Sequence, residues 1–256
     1  MESTRTNDLY KSNLRGNIKK ITEVYRDPTD PEPAESKRAS DSRTTIEYNT
    51  AGNMTLLVVH EGLGLATITR DEYEYDETGT IITNSVSLNM NNRTFKQYTY
   101  EYDRKGRIVS ESSPGENYSI IYKYTRDNRV KSEKFTVLQN TGKPETSEKR
   151  YKYTPSGRLK HVLDGSRSHK YYYDREGNLS FIVYDDGQEE RFDRYGNMTS
   201  LIKPVTFKGD GTTGDYITKA SVEAVYEYDV YGNWIKRTQY FEGEVIGETV
   251  REIEYY

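Results

Sequence analysis

The sequence predicts an all-β fold: a single long, strongly curled antiparallel meander of about eighteen strands, a partial shell or barrel-like sheet. Three observations predict it. A phrase Tyr-x-Tyr-Asp-x-x-Gly-Asn-apolar recurs along the chain and is spoken twice within residues 171–198, YYYDREGNLSFIVYDDGQEERFDRYGNM. Tyrosine occurs 25 times, where an average chain of this length would hold about 8. No stretch carries a helical period with caps, whereas aromatic and β-branched residues alternate with polar ones in short runs.

Composition sets limits on function. Only 33% of the 256 residues are hydrophobic and 30% are charged, which by itself would suggest disorder. The tyrosines reverse that reading, because a phenol buries a large ring while keeping a polar tip. The formal net charge is −4 with acids and bases interspersed, so nucleic acid is not an expected partner. With no cysteine there is no disulfide, thiolate metal site or thiol nucleophile. No run approaches the roughly 20 apolar residues of a transmembrane helix. The first residues lack the basic and apolar regions of a signal peptide, so the chain is either cytosolic or has lost a targeting segment.

Aligned on the turn, the phrase has nine copies, at Gly16, Gly52, Gly79, Gly106, Asn128, Gly157, Gly177, Gly196 and Gly232. The shortest spacing, 19 residues from Gly177 to Gly196, sets the basic unit, and longer ones carry insertions. Each part of the phrase has a job. In Tyr-x-Tyr both rings stand on one face of a strand and the intervening Glu or Lys on the other. The Asp caps the turn and the Gly supplies positive φ; Asn128 is the residue that best replaces it. The apolar residue restarts a strand running back, and a second turn, such as Asp164-Gly165 or Asp186-Gly187, completes the unit. The chain opens on a return half (residues 14–18) and closes on an approach half (253–256), so the ends are predicted to meet. Two stretches break the rhythm: residues 27–43, rich in proline and charge, read as a flexible insertion, and residues 204–219 as a long hairpin loop. The whole, 1–256, reads as one domain.

The phrase is the hallmark of the YD-repeat, or Rhs-repeat, family, which this chain resembles over its whole length. Residues 171–179 and 226–234 match nearly residue for residue. The family includes Rhs and wall-associated toxins, a component of insecticidal toxin complexes, and teneurins, whose repeats form spiralling hollow β-shells. The resemblance implies a cell-envelope or extracellular scaffold that binds a protein partner or glycan on its sheet. An alternative is the binding or shell component of an Rhs-type toxin system. The chain departs from the toxin members in its length and in ending on a strand without a cargo domain.

For chemistry the residues offer little. His60, His161 and His169 lack metal-ligand spacing, and Ser166-Arg167-Ser168-His169 follows a turn. Asp185, Asp186, Glu189 and Glu190 surround one hairpin and are the best candidates for a glycosidase-like carboxylate pair, though a chain with 41 acids forms such clusters by composition. Gly209-x-Gly211-x-x-Gly214 matches a dinucleotide fingerprint only as a string, since strand rather than helix follows. Asp210 and Asp215 lack EF-hand spacing. Of five Asn-x-Ser/Thr sequons, at Asn53, Asn92, Asn117, Asn178 and Asn197, three are a by-product of the repeat. The expectation is therefore a non-enzymatic protein, with no catalytic residue, metal or cofactor. The repeated tyrosines build the sheet, and the candidate ligand contacts are aromatics off the repeat: Tyr118, Tyr184, Trp234, Tyr240 and Phe241.

Overall fold

Each copy of the phrase folds as a turn between two strands, and the eighteen strands pair in chain order into one antiparallel sheet. This computed structural model describes residues 8, 12, 14–26, 42–61, 66–89, 94–113, 115, 117–138, 142–207 and 216–256. The strands are β1 (Ile18–Arg26), β2 (Ser42–Tyr48), β3 (Met54–Glu61), β4 (Ala66–Tyr75), β5 (Ile82–Asn89) and β6 (Thr94–Tyr102). There follow β7 (Ile108–Ser113), β8 (Tyr118–Tyr124), β9 (Val130–Leu138), β10 (Pro144–Tyr153), β11 (Leu159–Asp164) and β12 (Arg167–Tyr173). The last are β13 (Leu179–Tyr184), β14 (Glu189–Phe192), β15 (Met198–Phe207), β16 (Tyr216–Tyr228), β17 (Trp234–Phe241) and β18 (Glu244–Tyr255). Because β1 pairs with both β2 and β18, the curl is complete. The product is a closed barrel with no free edge.

The turns work as their residues dictate. In the fourth copy Asp103 N donates to Arg107 O (2.9 Å) and Gly106 N to Asp103 O (2.8 Å). The Asp103 carboxylate accepts from the backbone N–H of Lys105 and Arg107 at 2.8 and 3.0 Å. Asn128, standing where the others have Gly, adopts φ 66°.

Directly after each of these turns the ladder slips by one residue. The slip recurs at Tyr48, Tyr75, Tyr102, Tyr124, Tyr153, Tyr173, Phe192 and Tyr228, and between Ile18 and Lys20 on β1. An extra residue on the return strand raises local twist and bends the strand. Nine such slips, all on return strands, roll a meander of this size into a barrel.

The two faces differ in character. Tyr98, Tyr100 and Tyr102 are partly buried while Gln97, Thr99 and Glu101, which alternate with them, are exposed. Side chains converge on the concave side of a barrel and diverge on the convex side, so the tyrosine face is the inner one. Following the ladders from there, Lys123, Lys134, Arg150, Lys152, Lys170, Arg191, Glu227 and Lys236 face outward. The interior is not filled. The chain exposes 17111 Å², where a compact monomer of its mass would expose about 11,600 Å². Eighteen strands about 4.8 Å apart and tilted by roughly 40° enclose a ring of radius about 18 Å, too wide for side chains to bridge.

Tyrosine hydroxyls tie successive units together. At the slip the carbonyl of the first return residue lies beyond the end of the next ladder, and the following unit's tyrosine caps it. Tyr75 donates to Met54 O (2.6 Å), Tyr102 to Ile82 O (2.7 Å), Tyr124 to Ile108 O (2.6 Å), Tyr153 to Val130 O (2.6 Å) and Tyr173 to Leu159 O (2.7 Å). Each bond satisfies an acceptor that would otherwise lose its partner. The residue after the turn Gly or Asn reaches the same neighbour. Arg107, Arg129 and Arg158 lie over the rings of Tyr124, Tyr153 and Tyr173 at 4.2, 4.9 and 5.5 Å. Asn197 and Asn233 donate instead to the hydroxyls of Tyr228 and Tyr255.

The chain ends assemble the remaining unit. Tyr255 stands opposite Ile18, and Tyr256 N donates to Asn17 O (2.8 Å) in the manner of Asp103 to Arg107. The tightest packing lies at this seam: Ile18, Ile21 and Tyr48, with Leu14, Ile46, Met54, Ile253 and Tyr255 against them. Of the insertion at 27–43, residues 27–41 lie outside the described residues, and Ser42 and Arg43 belong to β2. In the 204–219 stretch β15 continues to Phe207 and β16 begins at Tyr216, so the hairpin is longer-stemmed than expected; residues 208–215, which hold the glycine string and Asp210 and Asp215, lie outside the described residues.

Candidate functional site: the inner face

The slip decides which side chains look inward. Counting by twos from Ile108, Glu111 would face outward. The extra residue inverts that parity, and Glu111 pairs with Tyr100 and Ile120 on the inner face. In the same way Glu133 comes to lie beside Tyr122, while Glu190, two residues before Phe192 on β14, faces inward by plain alternation beside Ile182 and Leu201. The inner wall is thus tyrosine set with carboxylates.

The densest group surrounds Glu111. Its two carboxylate oxygens accept from the hydroxyls of Tyr118 (3.2 Å) and Tyr122 (3.3 Å). Tyr118 meets Tyr98 edge-on at 6.1 Å and Phe135 at 5.0 Å, geometries that aromatic quadrupoles favour. Tyr100 and Ser85 share a hydroxyl–hydroxyl bond of 2.7 Å. Beside them opens a cavity of about 360 Å³ lined by residues of β4 to β7, among them Asp71, Tyr73, Ser85, Tyr98, Tyr100 and Glu111. Burial, then the charge of Asp71, pushes the Tyr73 phenol up to about 12. Burial followed by the Glu111 charge likewise raises Tyr118 and Tyr122 above the ordinary phenol value. These rings therefore stay neutral donors at physiological pH. A second acid–phenol contact joins Tyr151 to Glu133 at 2.8 Å.

The sequence-predicted aromatics do not form one site. Tyr118 lies at the centre of the group just described. Tyr184, at the inner end of β13, leans on His169 with centroids 4.9 Å apart, and burial and then its bond to Glu190 raise its pKa. Trp234 is 8% exposed, covered by the Arg251 guanidinium at 3.3 Å. Arg251 in turn pairs with Glu23 at 2.6 Å, so Trp234 is buried beneath a guanidinium that is itself tied across the β1–β18 ladder. Tyr240 is opposite Glu223 on the outer face, and Phe241 pairs with Val222 at the exposed end of β17. Tyr98, Tyr122, Phe135, Glu111 and Asp71 were not singled out by the sequence. Their only signal was an unbroken Tyr-x-Tyr-x-Tyr run at 98–102 and a Glu three residues into each of β7 and β9.

The candidate chemical clusters come apart on the sheet. Glu190 faces inward while Glu189 faces outward and pairs with Arg191 at 2.6 Å. Asp185 accepts from Ser168 N (3.0 Å) and Asp186 from Gln188 N (2.9 Å). Ser168 and His169 occupy opposite faces, as do His161 and His169. Among the described residues no three metal-ligating side chains converge.

No protein-family model matches the chain, and no curated protein matches it. Among solved structures it is similar to a porin-like protein from Bacteroides uniformis, with 14% identity over 93% of this chain and 98% of that one and a TM-score of 0.47. A porin-like protein from Bacteroides vulgatus is similar at 11% identity, over 94% and 99% of the two chains, with a TM-score of 0.34. The TcdB2-TccC3 structure is similar at 13% identity over 89% of this chain but 15% of that one, with a TM-score of 0.27.

Proposed function

We propose that the protein is a non-enzymatic binding barrel of the cell envelope or exterior that holds a glycan on its inner face. The observation that carries this reading is the group around Tyr118. Its hydroxyl engages a carboxylate rather than the backbone carbonyl that the repeated tyrosines cap, and it stands beside a cavity in the hollow interior. Neutral phenols, serine hydroxyls and carboxylates are the groups that stack on and hydrogen-bond a sugar. The outer face is that of a barrel in water, because a ring of lysines, arginines and glutamates opposes the apolar band that a lipid-facing barrel requires. Resemblance of the repeat to the YD-repeat family supports the compartment. A second reading, a shell component of a toxin system, draws support from the unfilled interior.

A glycan array followed by calorimetry on the hits tests the first reading. Binding that Tyr118→Ala abolishes without lowering the melting temperature supports it. An array with no hits rejects it.

A further inference from the structure

We propose that the cavity between β4 and β7 selects a ligand carrying a protonated primary amine, such as an amino sugar or an aliphatic polyamine. This rests on the reading of the inner face as a binding surface and adds a charge requirement to it. Two carboxylates, Asp71 and Glu111, line the cavity, and no basic side chain does. Among the ion pairs of the described residues, none involves either acid. The two are not equivalent. Glu111 is held by two tyrosine hydroxyls, whereas Asp71 Oδ1 is buried without a hydrogen-bond partner.

A buried anionic oxygen with no donor costs free energy that an incoming N–H recovers. Neutral hydroxyls also donate, but only a cation offsets two carboxylates at once. The surrounding rings of Tyr73, Tyr98 and Tyr100 add their negative faces, which attract an ammonium desolvated among them. A volume of about 360 Å³ suits a small molecule. The inner basic side chains Arg237 and Arg251 belong to β17 and β18, across the barrel from this wall; Lys96, opposite Ser87 on β6, is the inner basic side chain beside it and is not among the residues that line the cavity.

Calorimetric titration with glucosamine, spermidine and glucose, against the intact protein and the variants Asp71→Asn, Glu111→Gln and Glu133→Gln, tests the proposal. Glucosamine or spermidine is expected to bind about tenfold or more tightly than glucose, the ratio a charge-assisted hydrogen bond supplies. Asp71→Asn and Glu111→Gln are expected to erase that preference at unchanged circular dichroism, and Glu133→Gln, outside the cavity, to keep it. Which of the two amines wins separates the sugar source from the polyamine source. Binding of glucosamine and of spermidine no tighter than that of glucose overturns the charge requirement and leaves the glycan reading standing. No saturable binding of any of the three, or a preference that survives Asp71→Asn, also overturns it.

Discussion

Ile18 and Tyr255 face each other across the β1–β18 ladder in the relation that Met54 bears to Tyr48 within a single hairpin. The first and last strands thus rebuild, without a covalent turn, the unit that every other pair of strands makes with one. Asn233 guards this seam. It accepts from Arg15 N at 2.7 Å and donates to Arg15 O at 2.8 Å and to the Tyr255 hydroxyl at 2.9 Å, while only 2% exposed.

Replacing Asn233 therefore opens the barrel rather than one turn. Asn233→Ala is expected to cost about 2–3 kcal/mol, since it removes three hydrogen bonds of a buried side chain, two of them to the part-buried backbone of Arg15. Asn178→Ala, whose side chain bonds only the Asp174 carboxylate of its own turn, is expected to cost below about 1 kcal/mol. Urea denaturation of the two variants measures the difference.

The carbonyl caps make a graded prediction. Tyr153→Phe keeps the ring and removes the donor to Val130 O. A loss of about 1 kcal/mol is expected. Tyr172→Phe, whose ring is stacked on Phe181 on the outer face and 40% exposed, should leave stability within about 0.5 kcal/mol of the parent. Equal effects in chemical denaturation would mean that the caps contribute nothing.

Two glycines with positive φ separate conformation from space. Gly177 has φ 93°, and a Cβ there would overlap the Arg158 guanidinium. Gly165 has φ 58° with open space around it. Gly177→Ala is expected to lower stability by about 2 kcal/mol or more, and Gly165→Asn by less than about 0.5 kcal/mol, because asparagine tolerates the left-handed region. Thermal melts of both variants check the ordering.

Alkali should unfold the barrel in a defined window. Burial, aided by neighbouring acids, pushes Tyr48, Tyr73 and Tyr255 up to about 12, against about 10 in an unfolded chain. A raised phenol pKa contributes stability that is whole below about pH 10 and lost as pH climbs towards 12. Circular dichroism and phenolate absorbance are expected to change together in that interval. Ionisation of these tyrosines near pH 10 in a still-folded protein would contradict the burial described here.

Much of the architecture was legible in the residues. The periodic phrase, with its Asp-capped, Gly-bearing turn, requires two antiparallel strands per copy, and the complementary chain ends already implied that the sheet meets itself. The site was less legible. Glu111 and Glu133 look outward by strict alternation and inward once the slip after each turn is included, and no single residue in the phrase announces a slip. Arg251, seventeen residues on in the chain from Trp234, lies over its ring, a contact that neither residue signals in the sequence.

The sequence by itself determined the unit: local turn chemistry and side-chain alternation act over a few residues and repeat with the phrase. Only the tertiary structure decided what the units make together. Closure, the inward parity of the carboxylates, and the capping of one unit's carbonyl by the next unit's tyrosine all depend on how neighbouring strands register. Register is a relation between segments, so it has no signature within either one.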